Sequence, residues 1–173
     1  MTDRESYPLL SVEEARERIL ATIRPLPAER LPILQTLGRT LAEDVLADMD
    51  IPPLANSAMD GYAVRADDLA GARPRLRVIA NLAAGRTLDR AVGAGEAVRI
   101  MTGAPIPPGA DTVVRFEDTA FDGEWVEIAV APKRGANVRA AGEDVRAGSV
   151  VLRRGMVIRP QEVGMMASAG RVA

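Results

Sequence analysis

The chain contains neither cysteine nor histidine. Without cysteine there is no disulfide, no thiolate nucleophile and no sulfur-ligated metal site. Without histidine the commonest neutral metal ligand and general base is missing too. Any bound metal must then be hard and held by oxygen, a description that magnesium meets through carboxylates and substrate phosphate. Aromatic residues are scarce, 3% of a 173-residue chain whose apolar share is 47%. The core must be built from Val, Leu, Ile, Ala and Met, and two small cores suit such side chains better than one. Lysine occurs once, at Lys133, so 21 of the 22 basic residues are arginine (22 minus 1). Guanidinium forks match phosphate oxygens, although a bias in codon composition explains the excess as well. Against 24 acidic residues the net charge is -2, which supplies no general field for nucleic acid or an anionic membrane. No stretch approaches the ~20 apolar residues of a membrane span, and no apolar run follows a basic start. A cytoplasmic location is expected.

Ser11-Val12-Glu13-Glu14 forms a capping box and opens a helix with Val12, Ala15, Ile19 and Ile23 on one face, stopped by Pro25 and Pro27. A short extended piece and a turn come next over 31–37, and 40–46 reads as either a strand or a helical turn. From 49 to 144 the texture becomes short apolar runs separated by Gly, Pro and Asp. Strands are predicted there over 76–82, 97–101, 112–116 and 125–130, with Asp122-Gly123 as a hairpin signal between the last two and a turn at 66–70. Gly135 and Gly142 bracket another extended piece. Beyond 144 come a strand at 149–152, a turn at Arg154-Gly155, an extended piece over 156–158, and a helix that starts at Pro160, ends near Gly170 and buries Val163, Met166 and Ala167. The economical fold is α+β and mostly β. It has a small discontinuous α/β outer module made from both ends, 7–48 and 145–173, and an inserted β-rich module, 49–144. A single α+β domain fits the composition equally well.

Asn56-Ser57-Ala58-Met59-Asp60-Gly61-Tyr62-Ala63 places one carboxylate among small or flexible residues after the rigid Ile51-Pro52-Pro53. Proline stiffens the approach, and Gly61 leaves room for close approach or positive φ. The pattern fits an acid held for a metal or polyanion, and also a plain turn in which Asp60 bonds its own backbone. Two later segments bear on that choice: Arg99-Ile100-Met101-Thr102-Gly103-Ala104-Pro105 with Pro107-Pro108-Gly109-Ala110-Asp111, and Asn137-Val138-Arg139-Ala140-Ala141-Gly142-Glu143-Asp144.

In this order and spacing the three motifs resemble the molybdopterin molybdenumtransferase family, the MoeA and gephyrin C-terminal type. The resemblance runs from about Tyr7 to Ala173 and covers only the amino-terminal part of the family's protein, in which a doubly wound pterin-binding domain and a small barrel come after it. It implies a strand over 40–46 and the discontinuous plan. It also implies insertion of molybdate into adenylated molybdopterin, a magnesium-dependent release of nucleotide, and a homodimer with its site between subunits. On that resemblance Asp60, Thr102 and Asp144 are the expected catalytic residues, Ser57, Gly61, Gly103 and Arg139 the expected substrate contacts, and Asp60, Asp144 and Glu143 the expected metal ligands.

Each has a plainer reading. Thr102 can cap a turn rather than grip an oxyanion with the amides after it. Glu143 and Asp144 can form a solvated turn, and Arg139 can simply neutralise Asp144. Ser57 and Tyr62 can fix the Asp60 rotamer, with Tyr62 in the core, and the seven methionines read as core filler rather than soft-metal ligands. The chain alone is expected to be inactive. Two other functions fit: a dimerisation or partner-docking scaffold without catalytic residues of its own, and a free-standing oxyanion-binding β module.

Overall fold

The structure, a computed structural model, describes residues 9–173. Residues 7 and 8, where the outer module is expected to begin, lie outside the described residues. Helix α1 (Val12–Thr22) starts as its capping box dictates. Ser11 Oγ accepts from the Glu14 N–H at 3.1 Å, and the Glu14 carboxylate accepts from the Ser11 N–H at 2.9 Å. Its apolar stripe, however, packs on nothing among the described residues. Val12, Ile19 and Ile23 are 80%, 62% and 61% exposed.

The described residues then form ten strands: β1 (Val45–Leu46), β2 (Asn56–Ser57), β3 (Gly61–Val64), β4 (Arg75–Leu82), β5 (Glu96–Ile100), β6 (Thr112–Arg115), β7 (Thr119–Phe121), β8 (Trp125–Ile128), β9 (Val138–Arg139) and β10 (Val150–Leu152). Helix α2 (Pro160–Ser168) closes the chain. The strand expected over 40–46 is confined to Val45–Leu46, with Thr40 making only an isolated bridge to Val157. The piece at 31–37 is a single 3-10 turn, Ile33–Gln35.

Six strands form one mixed sheet in the order β6-β3-β5-β4-β8-β7, parallel only between β4 and β5. The edge strands β6 and β7 are joined by one 3-10 turn, Phe116–Asp118. A connection that short between opposite edges forces the sheet to curl. The curl also explains why the Tyr62 ring on β3 lies 6.1 Å from that of Phe121 on β7. Tyr62, Val64, Leu76, Ala97, Val114, Val126 and Ile128 fill the concave face. Ala63, Leu82, Val98, Ile100 and Val113 carry a second cluster on the other face, under the loops that bring Val92 and Ala104. This is the strand alternation expected of residues buried on both sides.

The remaining strands make two small ribbons. β1 pairs antiparallel with β10, and Val45, Leu152, Ile158 and Met166 of α2 form a third cluster there. In α2 the expected stripe of Val163, Met166 and Ala167 is corrected in one position: Ala167 is exposed and Glu162 is buried instead. The carboxylate tolerates burial because the Arg159 guanidinium donates to it at 2.9 and 3.1 Å. No described helix is long and apolar enough to cross a membrane.

Candidate functional site

The strand β2 draws the three motifs together. On one side Asn56 lies opposite Arg139 and Ser57 opposite Val138 of β9. On the other the Ser57 N–H donates to the Ala104 carbonyl at 2.9 Å, and the Gly103 N–H donates to the Ser57 carbonyl at 2.8 Å. Segments far apart in sequence are thus laced by main-chain bonds. The turn that carries Asp60 leaves directly from the end of β2 and leads into β3.

Asp60 is exposed, and its Oδ1 accepts two bonds from Thr102: the N–H at 2.7 Å and the hydroxyl at 2.8 Å. The Phe116 N–H holds the Asp60 carbonyl at 3.2 Å. The Thr102 amide first, and its hydroxyl second, pull the Asp60 carboxyl below its ordinary pKa, so it is ionised at neutral pH. The acid is gripped by a partner across the β3–β5 seam and not by its own turn. Phe116 was missed by sequence reasoning, because its role is carried by a main-chain N–H that leaves no trace in residue type.

The other expected site residues take different parts. Ser57 is buried, and its hydroxyl donates to the Met59 carbonyl at 2.5 Å and accepts the Met59 N–H at 3.3 Å, so it fastens the Asp60 turn. Gly61 is buried inside β3, and the close approach it permits is to the Val114 carbonyl of β6 rather than to a ligand. Gly103, at φ +80°, turns the chain after Thr102, and its amide is spent on Ser57. The Ala104 amide goes to the Met101 carbonyl. The amides expected to grip an oxyanion therefore all donate within the chain.

Arg139 holds both carboxylates of the third motif. Its Nη2 lies 2.7 Å from each oxygen of Asp144, and its Nε lies 3.3 Å from Glu143 Oε1. These bonds raise the Arg139 pKa, those from Asp144 most. No hydrogen bond or ion pair among the described residues joins this trio to Asp60 or Thr102. Nor do three or more acids approach closely enough, among the described residues, to hold a metal ion by themselves. Asp60 still fits magnesium in part. Its Oδ2 takes no protein hydrogen bond among those described, and a hard cation accepts one carboxylate oxygen and completes its shell with phosphate and water.

The depressed carboxyls set an acid limit. Asp60 through Thr102, Asp122 through the Trp125 and Glu124 amides, and Glu162 through the Arg159 side chain are all lowered. A carboxyl with a folded pKa below its unfolded value adds stability that is complete above the unfolded value and lost as pH falls through the folded one. The melting temperature should hold from pH 7 to about 5 and then fall below about pH 4, near the ordinary carboxylate range. A melting temperature flat down to pH 3 would contradict these bonds.

Known proteins share this fold. A solved structure of the molybdopterin biosynthesis moeA protein from Pyrococcus horikoshii superposes with a TM-score of 0.89 at 36% identity, covering 95% of this chain and 45% of that one. The fold class is therefore the mostly β α+β architecture of that protein. The chain also matches the family described as "MoeA N-terminal region (domain I and II)" over residues 10–170. It belongs to that family. Among curated relatives, the molybdopterin molybdenumtransferase of Staphylococcus aureus is 39% identical over 165 residues, which is 93% of this chain and 39% of the relative. The Synechococcus elongatus enzyme of the same name is 38% identical over 169 residues, 94% of this chain and 42% of the relative. The chain thus spans about two-fifths of the relatives' length.

Proposed function

We propose that this chain acts as the amino-terminal part of an enzyme that inserts molybdate into adenylated molybdopterin, giving molybdenum cofactor. The observation that carries the reading is the Asp60–Thr102 grip, an ionised carboxylate on a braced turn with one oxygen unused. The names of the relatives support the reaction class. In this reading the chain comprises two modules, 7–48 with 145–173 and 49–144, and the second faces the pterin-bearing part of another subunit in a homodimer.

The physical problem is that molybdate and an adenylate phosphate are both anions. Bringing them together calls for directed positive charge in a site that excludes bulk water. Asp60 Oδ2 would hold magnesium, which supplies charge neutralisation at the phosphate when bound. Thr102 keeps the carboxylate ionised and aimed, while Ser57 and Phe116 fix the turn that bears it. Asp144 and Glu143 are engaged by Arg139, so their part is to set Arg139 in place unless substrate displaces them. The test is turnover of adenylated molybdopterin by the full-length polypeptide with Asp60→Ala: molybdate insertion should collapse, and unchanged insertion would refute the role.

A second reading is supported by α1. An 11-residue helix gains little from propensity alone and normally depends on packing its apolar face, yet this one leaves Val12, Ile19 and Ile23 in solvent. Further along the chain an open groove is lined by Leu26, Leu31, Leu41, Val45 and Met166. The scaffold reading assigns these surfaces to dimerisation. Sedimentation of the chain across a hundred-fold concentration range decides it: a tight dimer without affinity for pterin supports the scaffold, and a concentration-independent monomer rules out self-sufficient dimerisation.

A further inference from the structure

Among the described residues, one arginine near the site has a buried donor without an acceptor. Around Asp60 the Thr102 amide and hydroxyl go to Asp60, the Gly103 amide to Ser57 and the Ala104 amide to Met101. Arg139 is taken by Asp144 and Glu143, and Arg115 by Asp118 at 2.8 Å. Arg99 differs. It lies on β5 directly opposite Tyr62, two residues from Asp60, and belongs to the Arg99–Pro105 motif. It is half-buried, and among the described residues it has no carboxylate within ion-pair distance. Its Nε is fully covered and has no hydrogen-bond partner.

The guanidinium is also held in place at the Asp60 end of the curled sheet. Its central carbon sits 4.9 Å from the centre of the Phe116 ring. Phe116 in turn meets the Tyr62 ring edge-on at 5.3 Å and gives its N–H to the Asp60 carbonyl. The charge reaches Tyr62 too: burial raises the phenol pKa, and Arg99 opposes the rise. Arginine cannot relieve its burial by losing a proton. A covered Nε without an acceptor is destabilising unless something meets it, and the half-buried remainder of the group keeps an open side from which an anion can approach. Stacking on Phe116 offsets part of that cost and leaves the positive field in place. An ionised Asp60, linked to this end of the sheet through Phe116, would otherwise repel an incoming anion.

We propose that Arg99 is an oxyanion-binding residue, the cation that a tetrahedral oxyanion meets beside Asp60. The chemistry is shared by molybdate and by a nucleotide phosphate, since a planar fork suits two oxygens of either. The inference rests on the proposed function in placing those anions at this end of the sheet, but it stands or falls by a separate measurement.

That measurement is the side-chain Nε–H resonance of Arg99 in the 173-residue chain, assigned by its loss in Arg99→Lys. Sodium molybdate and adenosine monophosphate are titrated separately, with sodium chloride at matched ionic strength as control. A saturable shift with molybdate alone identifies the metal oxyanion, and one with the nucleotide alone identifies its phosphate; both bear the proposal out. Because both substitutions remove the Nε–H itself, the variants are compared by isothermal titration calorimetry with the same anions: Arg99→Met should weaken the binding by ~10-fold or more, as expected for a charge-assisted hydrogen bond, with Arg99→Lys between. No saturable shift, an equal shift with chloride, or unchanged binding in Arg99→Met overturns it. If Arg99 fails while Asp60→Ala still abolishes molybdate insertion, the inference alone falls. If Asp60→Ala is harmless while Arg99 binds anions, the proposed reaction falls and the anion site remains.

Discussion

Gly61→Ala should destabilise the chain by about 3 kcal/mol or more, at the upper end of what overpacking costs. A methyl group there would lie 2.0 Å from the Val114 carbonyl oxygen, 2.8 Å from its carbonyl carbon and 3.1 Å from the Arg115 Cα. All three atoms are main chain, so no rotamer change relieves the clash. β3 is hydrogen-bonded on both sides, to β5 and β6, and relief would require one of those seams to open. Gly85→Ala is the control. Its Cβ would meet nothing within 4 Å, and the cost comes only from φ +79°, about 1 kcal/mol for a left-handed alanine. Urea unfolding of both variants provides the comparison. A Gly61→Ala loss no larger than that of Gly85→Ala would mean that Gly61 and Arg115 are not paired as described.

Asp60→Ala should lower the rate of molybdate insertion in the full-length polypeptide by ~100-fold or more, the usual scale for removing one preorganised charged group from a reacting centre. Asp60→Asn separates charge from shape. Its amide oxygen can still accept from the Thr102 N–H, so the turn is preserved while the negative charge is gone, and the loss should approach that of alanine. Thr102→Val should be milder, ~10-fold, because the stronger main-chain bond to Asp60 survives and only the hydroxyl bond is lost. Measuring kcat and KM apart matters here: a group that acts on the reacting anion lowers kcat, whereas one that only binds substrate raises KM. An Asp60→Asn rate within a few-fold of the parent would remove charge from the explanation.

The sequence made the strands that bury both faces easy to read. The runs read over 76–82, 97–101 and 112–116 are largely apolar and bounded by turn residues, and each falls on a strand, although Met101 lies past the end of β5 and Phe116 opens the 3-10 turn after β6. The Asp122-Gly123 turn is real as well, with Asp122 Oδ1 accepting from the Glu124 and Trp125 amides. Its partner strand, however, is β7, three residues long and exposed at Ala120 and Phe121, too short and too polar in setting to show a period. β3 was hidden for the opposite reason. Gly61 and Ala63 look like loop residues, and only the flush packing of neighbouring strands gives small residues a place in a sheet. At the site, the family resemblance singled out Asp60 and Thr102 as candidates, where local residue type left Asp60 open between a held acid and a plain turn. It could not show that the same two residues bond each other, because that depends on the β3–β5 register; the pairing of Arg139 with Asp144 was among the readings open from the sequence, and the structure adds Glu143 to it. Arg99 stood in a recognised motif without being singled out, since an arginine on a strand face gives no sign in sequence of whether a carboxylate waits for it.

The main chain departs for the curled sheet at Ile51 and returns at Val145, where the two residues exchange N–H to carbonyl bonds of 2.7 and 3.1 Å. Exit and entrance are therefore next-door neighbours. In the two-module reading proposed above, the stretch between them could be exchanged, enlarged or lost during evolution without re-threading the rest, because the ends left behind already touch. Asp144 is tied into the same junction through its amide, which donates to the Ile51 carbonyl at 3.0 Å, so a change at that junction would reach the third motif directly.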